Sequence, residues 1–253
     1  MNRKLFNLFL PRGAQYIHQS ELCSGWQAMT TSLRNISVLY KKSSDTSDKT
    51  VILAHPYVSA AKLFFIEKGI ADIYLSEGIN VVLFDFNGFG QSAFRDFNFY
   101  LDICDVYTST INLFTGTQVI LHGVSFGAAQ SLGFMSQGAL LPRFLVLESC
   151  PSNRLDYFRK RNKSLYYTLK FMGMVSASFS GNGNYLNTAS KIAENVNITL
   201  LYGIDDQLTP VSIGKAYKDV FRDRSKLFIC RGGHIDILQK DFDEYKKALF
   251  SPL

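Results

Sequence analysis

The chain has 253 residues, 47% of them apolar and 19% charged, which suits one globular domain with a sizeable core and excludes a disordered chain or a collagen-like repeat. Twenty-seven Lys and Arg stand against 21 Asp and Glu, so the chain is mildly basic at +6. Its four cysteines, Cys23, Cys104, Cys150 and Cys230, lie far apart with no CxxC pair; this excludes a disulfide framework and predicts free thiols in a reducing, cytoplasmic setting.

Met1 to Arg12 holds the short apolar run Leu5 to Leu10, broken by Asn7 and stopped by Pro11, too short for a secretory core and without a small-residue cleavage site. Residues 1–35 give no clear element. Ile36 to Lys42 alternates and predicts an edge strand, and the polar stretch Ser43 to Asp48 predicts a surface turn after it. Six continuous apolar runs then predict buried strands: Thr50 to Ala54, Asn80 to Asp85, Gln118 to Leu121, Phe144 to Glu148, Ile198 to Tyr202 and Lys226 to Cys230. Helical patterns fall at Ala61 to Ser76, Phe97 to Phe114, Phe126 to Gly138, Val211 to Phe221 and Asp236 to Leu249. Strands alternating with helices imply one α/β domain over 1–253, a mainly parallel sheet covered on both faces.

Two intervals need separate treatment. Val106 to Pro142 contains no charged residue over 37 positions, but five glycines and many hydroxyl and amide side chains interrupt the about 20 apolar residues that a membrane helix requires. A buried strand and helix fit it better. From Ser149 to Asn195 no strand is predicted, and because ligands bind beyond the carboxyl ends of parallel strands, an insertion over 149–195 is placed to act as a helical lid.

Gly123-Val124-Ser125-Phe126-Gly127 follows a strand and opens a helix, the setting in which G-x-S-x-G holds a serine hydroxyl exposed on a sharp turn. A serine needs a general base and the base an orienting acid. His234, in Arg231-Gly232-Gly233-His234, follows the last strand; Asp206 follows the strand Ile198 to Tyr202. All three leave the same sheet edge, in the order Ser, Asp, His. Asp205, its neighbour, and Glu148, at the end of the strand after the elbow helix, compete with Asp206. His55 reads as a residue that orients its own loop, His122 as a core histidine, and His18 as a surface residue. Asp236 reads as a first-turn carboxylate facing the dipole of the final helix.

Together with Asp85-Phe86-Asn87-Gly88-Phe89-Gly90-Gln91-Ser92 and the Gly-x-x-Asp-x-x-x-Pro segment ending at Pro210, these motifs resemble the α/β-hydrolase family over roughly Ile36 to Leu253. The resemblance implies Ser125 as nucleophile, His234 as base and then acid, and Asp206 as the residue that orients it. It also implies an oxyanion hole from the N–H groups of Phe126 and Tyr57, where His55-Pro56 stands in place of the family's His-Gly.

Gly88 to Ala93 formally fits a dinucleotide fingerprint, but the next helical pattern starts too late to meet a pyrophosphate. No Walker A or HExxH sequence is present, so no cofactor and no metal are expected. Pro151 to Lys170 carries six cations against Asp156 alone, with Tyr157, Phe158, Tyr166 and Tyr167 among them and Phe171, Met172 and Met174 beyond. Such a basic, aromatic lid suits an anionic or acyl-carrying substrate, an acidic carrier protein or a membrane surface, or is a solvated helix face. Nothing suggests nucleic acid. The expected activity is hydrolysis of a carboxylic ester or thioester with an apolar acyl part. An acyltransferase, a peptidase and a non-catalytic acyl-binding protein are the alternatives.

Overall fold

A computed structural model describes residues 24–44, 46–138, 142–153, 155, 159, 163, 166–168, 170, 171 and 183–251. Eight strands form one sheet in the order β1-β2-β4-β3-β5-β6-β7-β8. They are β1 (Gln27–Thr30), β2 (Ser37–Lys41), β3 (Lys49–Ala54), β4 (Asn80–Phe84), β5 (Gln118–Val124), β6 (Phe144–Glu148), β7 (Asn197–Gly203) and β8 (Ser225–Cys230). β2 runs antiparallel to β1 and to β4, and every other neighbouring pair is parallel. The edge predicted at Ile36 to Lys42 is therefore covered. β1 lies outside it, and its short, mostly exposed Gln-Ala-Met-Thr sequence carries too little apolar signal to read as a strand.

The buried strands are apolar on both faces because the pleat sends alternate side chains into two different cores. From β3, Ile52 and Ala54 enter one cluster with Leu121, Leu132, Tyr202 and Tyr217, while Val51 and Leu53 enter the other with Val124, Tyr74, Tyr245 and Leu249. The first face is covered by α3 (Tyr100–Leu113), α4 (Phe126–Met135) and α6 (Val211–Phe221); the second by α1 (Phe64–Glu67), α2 (Ile70–Ser76), α7 (Ile237–Lys240) and α8 (Phe242–Phe250). The single helix predicted over Ala61 to Ser76 is broken, since Gly69 takes a left-handed φ of 76° between α1 and α2. The uncharged stretch from Val106 folds as the end of α3, β5 and α4, and among the described residues no helix is long and apolar enough to cross a membrane.

Much of the interval 149–195 lies outside the described residues, including Arg154, Asp156, Tyr157, Phe158, Lys160, Arg161, Met172 and Met174. Its described part holds α5 (Tyr185–Ala189), capped by Asn184, and a bridge between Asn153 and Asn184 that ties the two ends of the insertion together.

Candidate active site

Ser125 sits between β5 and α4 with φ 51° and ψ −107°, a conformation that L-residues rarely hold and that the surrounding packing must impose. That packing depends on missing side chains. A Cβ on Gly127 would lie 1.9 Å from the carbonyl oxygen of Ala54, and one on Gly123 2.6 Å from the backbone of Ala128. The turn is pinned on its other side by the Ser125 N–H, which donates to the carbonyl of Glu148 at 2.8 Å. Although Ser125 stands at the cap position of α4, its side chain makes no capping bond. Instead its hydroxyl donates to His234 Nε2 at 2.7 Å.

His234 leaves β8 through Gly232 and Gly233, whose turn is braced where the Gly233 N–H donates to the Asp236 carboxylate at 2.5 Å. Asp236 thus ties the histidine loop, which the sequence reading did not foresee; it stands at the cap of α7 without making a capping bond. His234 Nδ1 lies 2.8 Å from Asp206 Oδ2. An ionised carboxylate only accepts, so the imidazole proton sits on Nδ1 and leaves Nε2 free to accept from Ser125.

Asp206 is 3% exposed and its second oxygen accepts from the N–H groups of Leu208 at 2.8 Å and Thr209 at 2.9 Å. The Thr209 hydroxyl donates to Oδ2 beside the histidine bond. Burial alone would raise this carboxyl; the bonds from His234 and Thr209, with the charge attraction of the imidazole, outweigh it and hold Asp206 below the usual carboxylate range. Thr209 escaped the sequence reading, although Asp followed three residues later by Thr is a turn-forming pair.

The two competing acids go elsewhere. Asp205 is exposed, with its N–H on the carbonyl of Gly232. Glu148 Oε2 accepts from the Tyr245 hydroxyl at 2.7 Å and lies 3.3 Å from His122 Nε2, while Tyr74 bonds the other nitrogen of His122 at 3.1 Å. These four residues form a buried polar cluster in the core and none of these bonds reaches His234. His18 lies outside the described residues.

The loop after β3 lies against the elbow. His55 is wholly buried, donates from Nδ1 to the Pro56 carbonyl at 2.7 Å and accepts the Phe86 N–H at Nε2. Tyr57 follows, its ring 5.6 Å from that of Phe126, and the Val58 N–H turns back onto the Pro56 carbonyl. Phe126 begins α4, so its N–H has no carbonyl partner within the helix and lies at the positive end of the dipole.

Further along, Lys62 and Asp85 form a buried ion pair at 2.6 Å; Asp85 also takes the N–H groups of Lys62 and Gln91, bolting this loop to the turn after β4. A lone lysine in a helical pattern gave no sign of it. That turn, not a nucleotide loop, is what Gly88 to Ala93 forms, and no helix opens before α3.

Aromatic rings surround the junction. Phe86, Phe89, Phe99 and Tyr57 all lie with ring centroids within 6.4 Å of one another or of Phe126. The insertion's described aromatics divide: Tyr185 packs against the core and Tyr166 is half-buried, whereas Tyr167 and Phe171 are each 64% exposed. A separate open cleft of about 540 Å³ is lined by the insertion itself, in part by Ser152, Asn153, Arg159 and Tyr166.

Sheet order, the serine on its strained turn and the loops at the carboxyl edge define the α/β-hydrolase fold. An esterase from Pyrococcus furiosus superposes with a TM-score of 0.73 at 23% identity, over 96% of this chain and 95% of that one. An esterase from Exiguobacterium antarcticum (0.63, 17%, 89% and 98%) and a bromoperoxidase from Bacillus anthracis (0.63, 16%, 89% and 98%) share the fold. The chain matches no protein-family model and no curated protein sequence.

Proposed function

We propose that this protein is a serine hydrolase that cleaves a carboxylic ester or thioester. The Ser125 oxygen attacks the carbonyl carbon as His234 Nε2 takes its proton, and Asp206 holds the imidazole and stabilises its charged form. The oxyanion is received by the N–H groups of Phe126 and Tyr57, a contribution of about 3 to 4 kcal/mol per donor. His234 returns the proton to the leaving alcohol or thiol, and water, activated by the same histidine, releases the acyl group from Ser125. The aromatic rings around Phe126 suit an apolar acyl part.

The observation that carries this reading is the unbroken hydrogen-bond chain Ser125–His234–Asp206, with the serine held on a strained turn where its hydroxyl meets the histidine instead of capping the helix. The names of two similar structures, both esterases, agree with it.

Ser125→Ala should unfold at the same urea concentration as the parent while turnover of p-nitrophenyl esters falls by about ten-thousand-fold or more. A fluorophosphonate should label the parent alone. Equal turnover by the variant would end the proposal; product analysis with added alcohol, amine or peptide acceptors separates hydrolysis from transfer.

A further inference from the structure

Within the insertion, Arg159, Lys163, Tyr167 and Phe171 are helical, recur in steps of four and are all exposed. Such spacing keeps side chains on one helix face, so this face presents two cations and then two aromatic rings to solvent. Lys170 flanks it, its ammonium 6.0 Å from the Tyr166 ring. The segment 151–170 holds five of the chain's six net positive charges. Tyr167 meets the Tyr166 ring edge-on at 5.2 Å, yet it and Phe171 each remain 64% exposed, so among the described residues this face offers apolar surface beside the cations Arg159, Lys163 and Lys170.

We propose that this face docks on an anionic lipid surface. A bilayer interface fits better than an acidic protein because it takes isolated aromatic rings at headgroup depth beside snorkelling lysines, whereas a stable protein contact needs about 1,200 Å² or more of fitted surface. The insertion leaves from the carboxyl end of β6, and on the same sheet edge Ile204, between β7 and Asp206, is also 64% exposed. Docking there turns the edge that carries Ser125 toward the lipid.

The test is co-sedimentation with vesicles, using the full chain carrying Ser125→Ala so that no lipid is consumed. Vesicles of phosphatidylcholine with phosphatidylserine should retain the protein, pure phosphatidylcholine should not, and about 0.5 M salt should release it. Lys163→Glu with Lys170→Glu should weaken retention by about tenfold or more, and Tyr167→Ser with Phe171→Ser should also weaken it. In the Ser125 background, all four substitutions should leave turnover of a short soluble ester without vesicles unchanged, which shows that the fold persists. No retention on anionic vesicles at low salt, equal retention by the four-fold variant, or capture by an acidic carrier protein in place of vesicles would each overturn the proposal.

Discussion

His55 is held neutral. Burial, set against its bond to the Pro56 carbonyl and the nearby Asp85 charge, lowers it from about 6.5 to about 4. The unfolded chain therefore takes up a proton at this residue before the folded one does. Its contribution to stability is complete above pH 6.5 and is lost as the pH falls toward 4. Urea unfolding measured across that window should show the parent losing about 3 kcal/mol more than His55→Gln. Parallel curves would mean that folding leaves the titration of this imidazole unchanged. Cys150 and Cys230, by contrast, are both pushed up to about 12 by burial, and burial raises Cys104 as well, so the described thiols stay protonated at neutral pH.

At the scale of elements, the elbow and the loop after β3 touch through bare backbone. Gly127→Ala would drive a methyl into the Ala54 carbonyl, and neither side can yield without moving a central strand or the start of α4. We expect a loss of about 3 kcal/mol or more in urea unfolding, and lower turnover in whatever folds. The Lys62–Asp85 pair gives a second case, since both groups are fully buried and bonded on several sides. Lys62→Met leaves a buried carboxylate without its cation and should cost about 3 to 5 kcal/mol. Adding Asp85→Asn should recover part of that loss, and a double variant no more stable than the single one would show that the charge is not what the lysine satisfies.

For the whole molecule, the two cores share every central strand, so neither face can melt while the other stays intact. Far-ultraviolet circular dichroism and tyrosine–tryptophan fluorescence should report one coincident urea transition; separated midpoints would mean that part of the chain unfolds independently. The same strands made the architecture readable in advance. Long apolar runs with β-branched residues have one stable place in a covered parallel sheet, and the serine turn, the histidine and the acid could be nominated from their positions at strand ends. What escaped was nonlocal. β1 has almost no burial of its own, Thr209 and Asp236 matter only through the turns they close, and Lys62 meets Asp85 across 23 residues. The orientation of Tyr167 and Phe171 was equally hidden, because helical spacing does not say whether a face meets the protein or water.

Ser125 and His234 are 109 residues apart, and the histidine follows the final strand. A chain emerging from the ribosome completes the serine turn long before the imidazole exists, so the nascent protein carries a blunt alcohol at that point. If Ser125 is the nucleophile proposed above, its activation waits until β8 zips onto β7, which makes closure of the last strand the step that completes the proposed centre.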